Sequence, residues 1–181
     1  MRDYLTKTSI ALSIACLWIA CDYLNIKFLD SVKINEFLYA IYLLAGFRLV
    51  AIILFGWTGV LGVFLGYSIS GIFLRYFEPQ DAISLGLLSS LAPLIAYRTW
   101  QKAFKHSNEF VNVSFIELFY LILLSGLISA AFRSAYLLAL NKVFNPDILL
   151  ATFAANISGS IVFLFSLKLI SLLFKRMIIR H

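Results

Sequence analysis

Charged residues are scarce in this sequence, and their scarcity argues against a soluble fold. Only 13% of the 181 residues are charged and 62% are hydrophobic, whereas a soluble domain carries about 25% charged residues. A chain of this length has too small a core to bury so much apolar surface away from water. The expected solvent is therefore the bilayer, and we expect a single integral membrane domain over residues 1–181.

Cysteine and histidine are also rare, which limits the chemistry available to the chain. Cys16 and Cys21 fall on different faces of the first apolar stretch, as small apolar residues rather than a disulfide or metal site. His106 and His181 both lie in polar segments. The sequence also lacks a phosphate-binding glycine loop, paired carboxylates within an apolar stretch and a serine with a nearby base. We therefore expect no enzymatic activity, no metal and no cofactor.

The excess of basic residues has a simple explanation in a membrane protein. The formal net charge is +6 at pH 7, which in a soluble chain would suggest a nucleic-acid partner. In an integral membrane protein, basic residues flank the spans on the cytoplasmic side and contact anionic lipid. We therefore expect the lipid bilayer as the partner and no nucleic acid.

Six apolar stretches predict an all-α, polytopic transmembrane helix bundle of about six spans. Most of the stretches approach the roughly 20 residues that a helical span needs. The predicted spans are 8–24, 36–55, 60–77, 82–97, 114–137 and 146–170.

Helix start signals precede three of these spans. Asn35 is the expected N-cap of the second span. Ser114 and Glu117 have the spacing of a capping box at the fifth. Asn145 followed by Pro146 fits the start of the sixth.

The basic residues also predict the orientation of the spans. With six spans, eight basic residues lie on one side and four on the other, which favours both termini in the cytoplasm of a bacterial cell. The eight are Arg2, Lys7, Arg98, Lys102, Lys105, Lys175, Arg176 and Arg180, and the four are Lys27, Lys33, Arg75 and Lys142.

Small residues recur at every fourth position in the segment FGWTGVLGVFLGYSISG. Gly62, Gly66 and Ser70 therefore share one helical face, where small side chains let another backbone approach closely. We expect this face to pack on another helix of the same chain, with a homodimer seam as the alternative. Ala155 and Gly159 repeat the spacing in the sixth span.

Arg48 is the charged residue predicted to lie deepest in the membrane. It lies about 20 Å below Asn35, within a hydrocarbon core about 30 Å thick. A charge at that depth indicates either a functional site or an arginine that joins helices through carbonyls and hydroxyls. Asn156 lies at a similar depth, so its amide oxygen and the hydroxyls of Ser158 or Ser160 are the expected partners. The charge that these neutral groups leave uncompensated suits an anionic ligand or lipid headgroup.

Part of the sequence resembles a known family. The segment AGFRLVAIILFGWTGVLGVFLG is similar to the paired helices of the bacterial membrane-associated sensor (MASE) domain, which shows a Pro-Ala-Gly turn, a Phe-Gly boundary and a glycine-bearing helix. The later segment ANISGSIVFLF resembles the family's Gly-Asp-x-x-Gly segment. The matching residues are Ala45, Gly46, Phe55, Gly56, Gly66 and Gly159, while Leu44 replaces the proline, Asn156 the acidic residue and Ala155 the first glycine.

The resemblance implies a membrane sensory module. Members of the family feed a cytoplasmic kinase or cyclic-dinucleotide domain, whereas only KRMIIRH follows Phe174 here. Output is therefore expected to pass through a cytoplasmic or membrane signalling partner. Two alternatives stay open: a small transporter or the substrate-binding membrane subunit of one, and a structural or assembly protein.

Overall fold

The computed structural model describes residues 2–29, 33–35, 38–39, 42–104, 113–140 and 146–179. Six helices account for nearly all of this part of the chain, and one short antiparallel hairpin accounts for the two strands. The elements are α1 Arg2–Leu29, β1 Lys33–Asn35, β2 Leu38–Tyr39, α2 Leu44–Phe55, α3 Trp57–Phe73, α4 Pro79–Phe104, α5 Phe115–Ala139 and α6 Pro146–Ile179.

Four of the helices, α1, α4, α5 and α6, are long and apolar enough to cross a membrane. The other two are shorter. At about 1.5 Å per residue, α2 with its 12 residues is about 18 Å long and α3 with its 17 residues is about 25 Å long. The helical architecture expected from the apolar stretches is therefore present, with two helices shorter than a full span.

The second helix begins later than the sequence predicted. Asn35 lies in β1 and caps no helix, while Glu36 lies outside the described residues. The first residue of α2 is Leu44, with no side-chain cap. The predicted span of 36–55 was therefore wrong at its start, because Lys33–Asn35 and Leu38–Tyr39 form paired strands and not helical turns.

The other two start signals differ in outcome. Ser114 and Glu117 form the capping box in full: the serine hydroxyl accepts from the Glu117 N–H, and the Glu117 carboxylate accepts from the Ser114 N–H. Pro146 is the first residue of α6, and Asn145 lies outside the described residues.

The small-residue face of α3 packs on α1. A Cβ added at Gly62 would lie 2.7 Å from the Cβ of Ile14, and one at Gly66 would lie 2.6 Å from the Cβ of Trp18. Ser70 continues the face, because its hydroxyl accepts a 3.3 Å hydrogen bond from the Trp18 indole N–H. The face thus packs within the same chain, as expected. Gly62 packs on Ile14 and Gly66, one turn later, packs on Trp18, so α1 and α3 run in the same direction.

The helices alternate in direction from one to the next along the chain. At Gly56, which has a φ of +55°, the chain turns so that α3 runs back along α2. On its other side α2 runs parallel to α6: Gly159 lies against the Tyr42 backbone, and Gly46 lies against Phe163 one turn farther on. These pairings put the start of α1 and the end of α6 at the same end of the bundle.

α2 lies at the centre of the bundle. It contacts α1, α3, α4 and α6, and Leu44, Leu49 and Ile52 on it are almost fully buried. The outward faces of the surrounding helices carry large apolar side chains, such as Phe73 at 70% exposure and Phe165 at 67%. Soluble monomers rarely expose so much apolar surface, whereas lipid is a suitable solvent for it.

Candidate functional site

Arg48 extends from the central helix to three of its neighbours. Its Nη2 donates to the Asn156 Oδ1 of α6 at 2.7 Å and to the Ser129 hydroxyl of α5 at 2.9 Å. Its Nη1 donates to the Ser89 hydroxyl of α4 at 2.7 Å and lies 3.5 Å from the Ser89 carbonyl oxygen. The arginine is only 4% exposed. One side chain therefore ties together four helices.

The three acceptors converge because they lie at the same level of the bundle. Ser89 and Asn156 are each about ten residues, or about 15 Å, from the start of their helices, and Ser129 is as far from the end of α5. Since α5 runs against α4 and α6, all three distances are measured from the same side. The guanidinium group therefore sits well inside the bundle, far from either end.

One of the hydrogen-bond partners of Arg48 was predicted correctly from the sequence. The expected hydrogen bond to Asn156 is present. The expected hydroxyl partners were wrong, because Ser158 faces away from Asn156 on the helix and donates to the Ala155 carbonyl. Ser160 is buried one turn farther along α6. The ligand-binding role suggested for all four residues stays a prediction.

The serines that do bind Arg48 could not be assigned from the sequence. Ser89 is followed by Ser90, which donates to its own helix at the Leu87 carbonyl. On α5, Ser129 belongs to a small-residue face with Ser125 and Gly126. The four-residue spacing of that face was a usable signal, but which helix it faces depends on the packing of the whole bundle.

A cavity of about 50 Å³ lies beside the guanidinium group. Three arginines line it: Arg48, Arg75 and Arg133. Arg133 lies one turn beyond Ser129 on α5, and Arg75 lies in the connection between α3 and α4. Both side chains therefore reach the same interior space as Arg48.

Apolar side chains form much of the remaining wall. Leu85 and Leu88 come from α4 and Phe132 from α5, and Phe77 lies near Arg75 in the connection between α3 and α4. The cavity therefore combines a basic lining with apolar walls, which is the usual composition of a small-molecule site.

Two buried polar atoms at this cavity have no hydrogen-bond partner among the described residues. They are the Nε of Arg48 and the hydroxyl oxygen of Thr152, and both residues line the cavity. A buried donor without a partner costs about 1 to 3 kcal/mol. Such atoms are therefore candidates for contact with a bound molecule.

Arg75 is held by a buried ion pair. Its Nε donates to the Asp22 Oδ2 at 3.0 Å and its Nη2 to the Oδ1, and the Asp22 side chain is 1% exposed. Burial lowers the pKa of Arg75, but the hydrogen bond and the negative charge of Asp22 outweigh it and hold the pKa above its ordinary value. The pair joins the end of α3 to α1 beside the cavity.

The predicted packing residues on α6 also shape the site. Gly159 admits the Tyr42 backbone, and the Tyr42 N–H donates to the Ala155 carbonyl at 3.2 Å. A Cβ at position 159 would collide with the Tyr42 backbone. These contacts seat the start of α2 against α6 and bring Tyr42 into the cavity lining.

The arrangement offers groups that can bind a small molecule. Within the described part of the chain, no three His, Cys, Asp or Glu side chains are close enough together to hold a metal ion. What converges at the cavity is a set of N–H and O–H donors with positive charge. Comparison with protein-family models, curated proteins and solved structures found no match for this chain.

Proposed function

We propose that this chain is a sensor-like module of a bacterial cytoplasmic membrane that binds a ligand in the cavity beside Arg48. The module is not an enzyme and passes its ligand-bound state to a signalling partner. It crosses the membrane six times, with both termini in the cytoplasm.

The buried arginine cavity is the observation that carries this proposal. Placing an arginine at the centre of a membrane helix costs about 2.5 to 3.5 kcal/mol on insertion scales. A purely structural tie does not need a cavity beside it, nor an unpartnered Nε on the same guanidinium group. A binding site uses both features.

The sensor role is supported by the position of the site and by the sequence resemblance. Arg48 contacts α4, α5 and α6 at once, so a ligand that shifts the guanidinium group changes the relation of three helices. The segments that resemble the MASE domain, 45–66 and 155–165, carry Arg48 and Asn156 themselves.

The topology is supported by the alternation of helix directions and by the basic residues. Because the helices alternate in direction, the start of α1 and the end of α6 lie on the same side of the membrane. The eight-to-four distribution of basic residues favours the cytoplasm for that side. The short α2 begins inside the bundle. Its non-helical approach at Tyr42 is tolerated at that depth because it is packed on protein and lines a cavity.

Thermal unfolding of the purified full chain tests the proposal. The protein is held in an uncharged mild detergent, with and without a small-molecule extract of bacterial cells. We expect the extract to raise the Tm of the parent but not of Thr152→Val, which removes a cavity hydroxyl and keeps the side-chain size. Ser166→Ala on the same helix is the control, because Ser166 is exposed and donates to its own helix at Val162.

A second measurement separates the sensor from the transporter. The stabilising fraction is added to proteoliposomes, and its accumulation inside the vesicles is followed. Binding without accumulation supports the sensor role, whereas accumulation favours transport. An equal rise in Tm for Thr152→Val and the parent would contradict binding in this cavity.

A further inference from the structure

We propose that the cavity beside Arg48 binds an oxyanion, a carboxylate or phosphate group, through the Arg48 Nε–H and the Thr152 hydroxyl. This inference rests on the proposed function, because it names the chemical class of the ligand that the cavity takes.

The hydrogen bonds of Arg48 leave one donor for a ligand. A guanidinium group has five N–H donors in a fixed planar arrangement. Nη2 is directed at Ser129 and Asn156, and Nη1 at the hydroxyl and carbonyl oxygens of Ser89. Nε is buried and has no partner in the part of the chain that the structure describes. The unused donor is thus a single N–H on a group whose orientation is fixed by three helices.

The charge of Arg48 is uncompensated by its protein partners. Ser89, Ser129 and Asn156 all supply neutral oxygens. A water molecule in the cavity would satisfy the Nε–H but would leave the positive charge without a counter-charge. An oxyanion satisfies both, and hydrogen bonds between charged partners are about twice as strong as neutral ones.

The rest of the cavity has the same sign of charge. Among the described residues that line it are three arginines and no aspartate or glutamate. The Asp22 carboxylate offsets the charge of Arg75, whereas the oxygens that Arg48 contacts are neutral. In a low-dielectric interior the charge of Arg48 attracts an anion strongly. The N-terminal end of α2, beside Tyr42 in the lining, adds the positive end of a helix dipole.

The size of the cavity limits what reaches Arg48. A volume of about 50 Å³ holds about four water-sized groups. A carboxylate or a phosphate group fills that space, and a larger ligand must place its remaining atoms elsewhere. The apolar side chains of Leu85, Leu88 and Phe132 suit an alkyl or aromatic body that follows the charged group.

Free anions and lipid headgroups share this chemistry, and defined probes separate the two sources. The Tm of the full chain is measured with inorganic phosphate, with octanoate, and in nanodiscs of phosphatidylcholine with and without phosphatidylglycerol. Octanol and octyltrimethylammonium are the neutral and cationic controls of matched length. At about 100 times the Kd, we expect an anionic probe to raise the Tm by about 5 to 10 °C.

Three variants locate the effect. Thr152→Val and Arg48→Gln should each weaken binding of the effective anion by about tenfold or more, because each removes a donor to it. Arg98→Gln is the matched control, since Arg98 is an exposed arginine of α4 outside the cavity lining. It should bind like the parent. Thr152→Val decides the outcome if Arg48→Gln does not fold.

Each result has one meaning. Stabilisation by phosphate, octanoate or phosphatidylglycerol that is lost in Thr152→Val supports the inference and names the source. Equal stabilisation by octanol or octyltrimethylammonium, also lost in Thr152→Val, overturns the anion inference but leaves ligand binding in the cavity intact. No stabilisation by any anionic probe also overturns the inference, and the cell extract then tests the proposed function separately.

Discussion

At the scale of single residues, Arg48 is stabilised by oxygen atoms on three different helices. Each bond to a buried guanidinium group compensates part of its lost hydration. Hydrogen bonds between side chains in membrane proteins contribute about 0.6 kcal/mol on average. The bonds of Arg48 should contribute more, because their donor is charged. The stability of the bundle should therefore depend on the Arg48 acceptors more than on polar residues that form hydrogen bonds only within their own helix.

Removing the Asn156 acceptor tests that dependence. Asn156→Ala should lower the free energy of unfolding by about 1.5 to 3 kcal/mol, because it leaves a charged donor without its acceptor. Ser166→Ala, which affects only a hydrogen bond within its own helix, should change it by less than about 0.5 kcal/mol. Unfolding in detergent by heat or denaturant compares the two. Equal stability of both variants would contradict the network described for Arg48.

The Asp22–Arg75 pair supports a second prediction at the residue scale. Asp22→Asn leaves a buried arginine without its counter-charge, and breaking a buried pair in this way costs about 3 to 5 kcal/mol. Asp3→Asn is the matched control, because Asp3 and Lys7 form an exposed pair on the same helix, and such pairs contribute less than about 1 kcal/mol. Similar losses for the two variants, measured by thermal unfolding, would show that the buried pair does not hold α3 to α1.

At the scale of helices, the close approach of α1 and α3 depends on the absence of side chains. Gly66→Ala puts a Cβ within 2.6 Å of the Trp18 Cβ, so we expect a loss of about 1 to 3 kcal/mol from overpacking. Gly126→Ala meets its nearest neighbour at 3.3 Å and gains helix propensity of about 1 kcal/mol. It should be neutral or stabilising. A Gly66→Ala variant as stable as the parent would refute the packing of these helices.

The sequence predicted the helix starts that depend on contacts within one turn. The capping box at Ser114 and the proline at position 146 fix the starts of α5 and α6 through contacts within one turn. The start of α2 was mispredicted, because it is set by Tyr42 packing on Ala155 and Gly159, more than a hundred residues away. No pattern among the residues near Tyr42 in the sequence indicates that contact.

Only part of the candidate site could be predicted from the sequence. The hydrogen bond between Arg48 and Asn156 was predicted correctly, although only the depth of Asn156 was counted along a helix that the structure contains. The count for Arg48 began at Asn35, which lies in β1. Ser89 and Ser129 were missed because the rotation of α4 and α5 about their own axes depends on packing, which a hydrophobicity pattern does not define. The short length of α2 was missed for the same reason as its start.

At the scale of the whole molecule, six alternating helices make a definite prediction about topology. In a variant without Cys16 and Cys21, Glu78→Cys lies in the exposed connection between α3 and α4, and Lys102→Cys is exposed near the end of α4. A membrane-impermeant thiol reagent added to intact cells should modify position 78 and spare position 102. The opposite labelling pattern would place both termini outside the cytoplasm.

The proposed function depends on the cavity inside the bundle beside Arg48, which small molecules must be able to enter. Thr152 and Ser160 are both on α6 and both nearly fully buried, at 5% and 4% exposure, but only Thr152 belongs to the cavity lining. Thr152→Cys and Ser160→Cys are compared in the same cysteine-free background with methyl methanethiolsulfonate, a small uncharged reagent. We expect modification at position 152 to be at least about tenfold faster than at position 160, because the reagent reaches only the cavity without unfolding the bundle. Equal rates at the two positions would contradict the cavity and the binding site built on it.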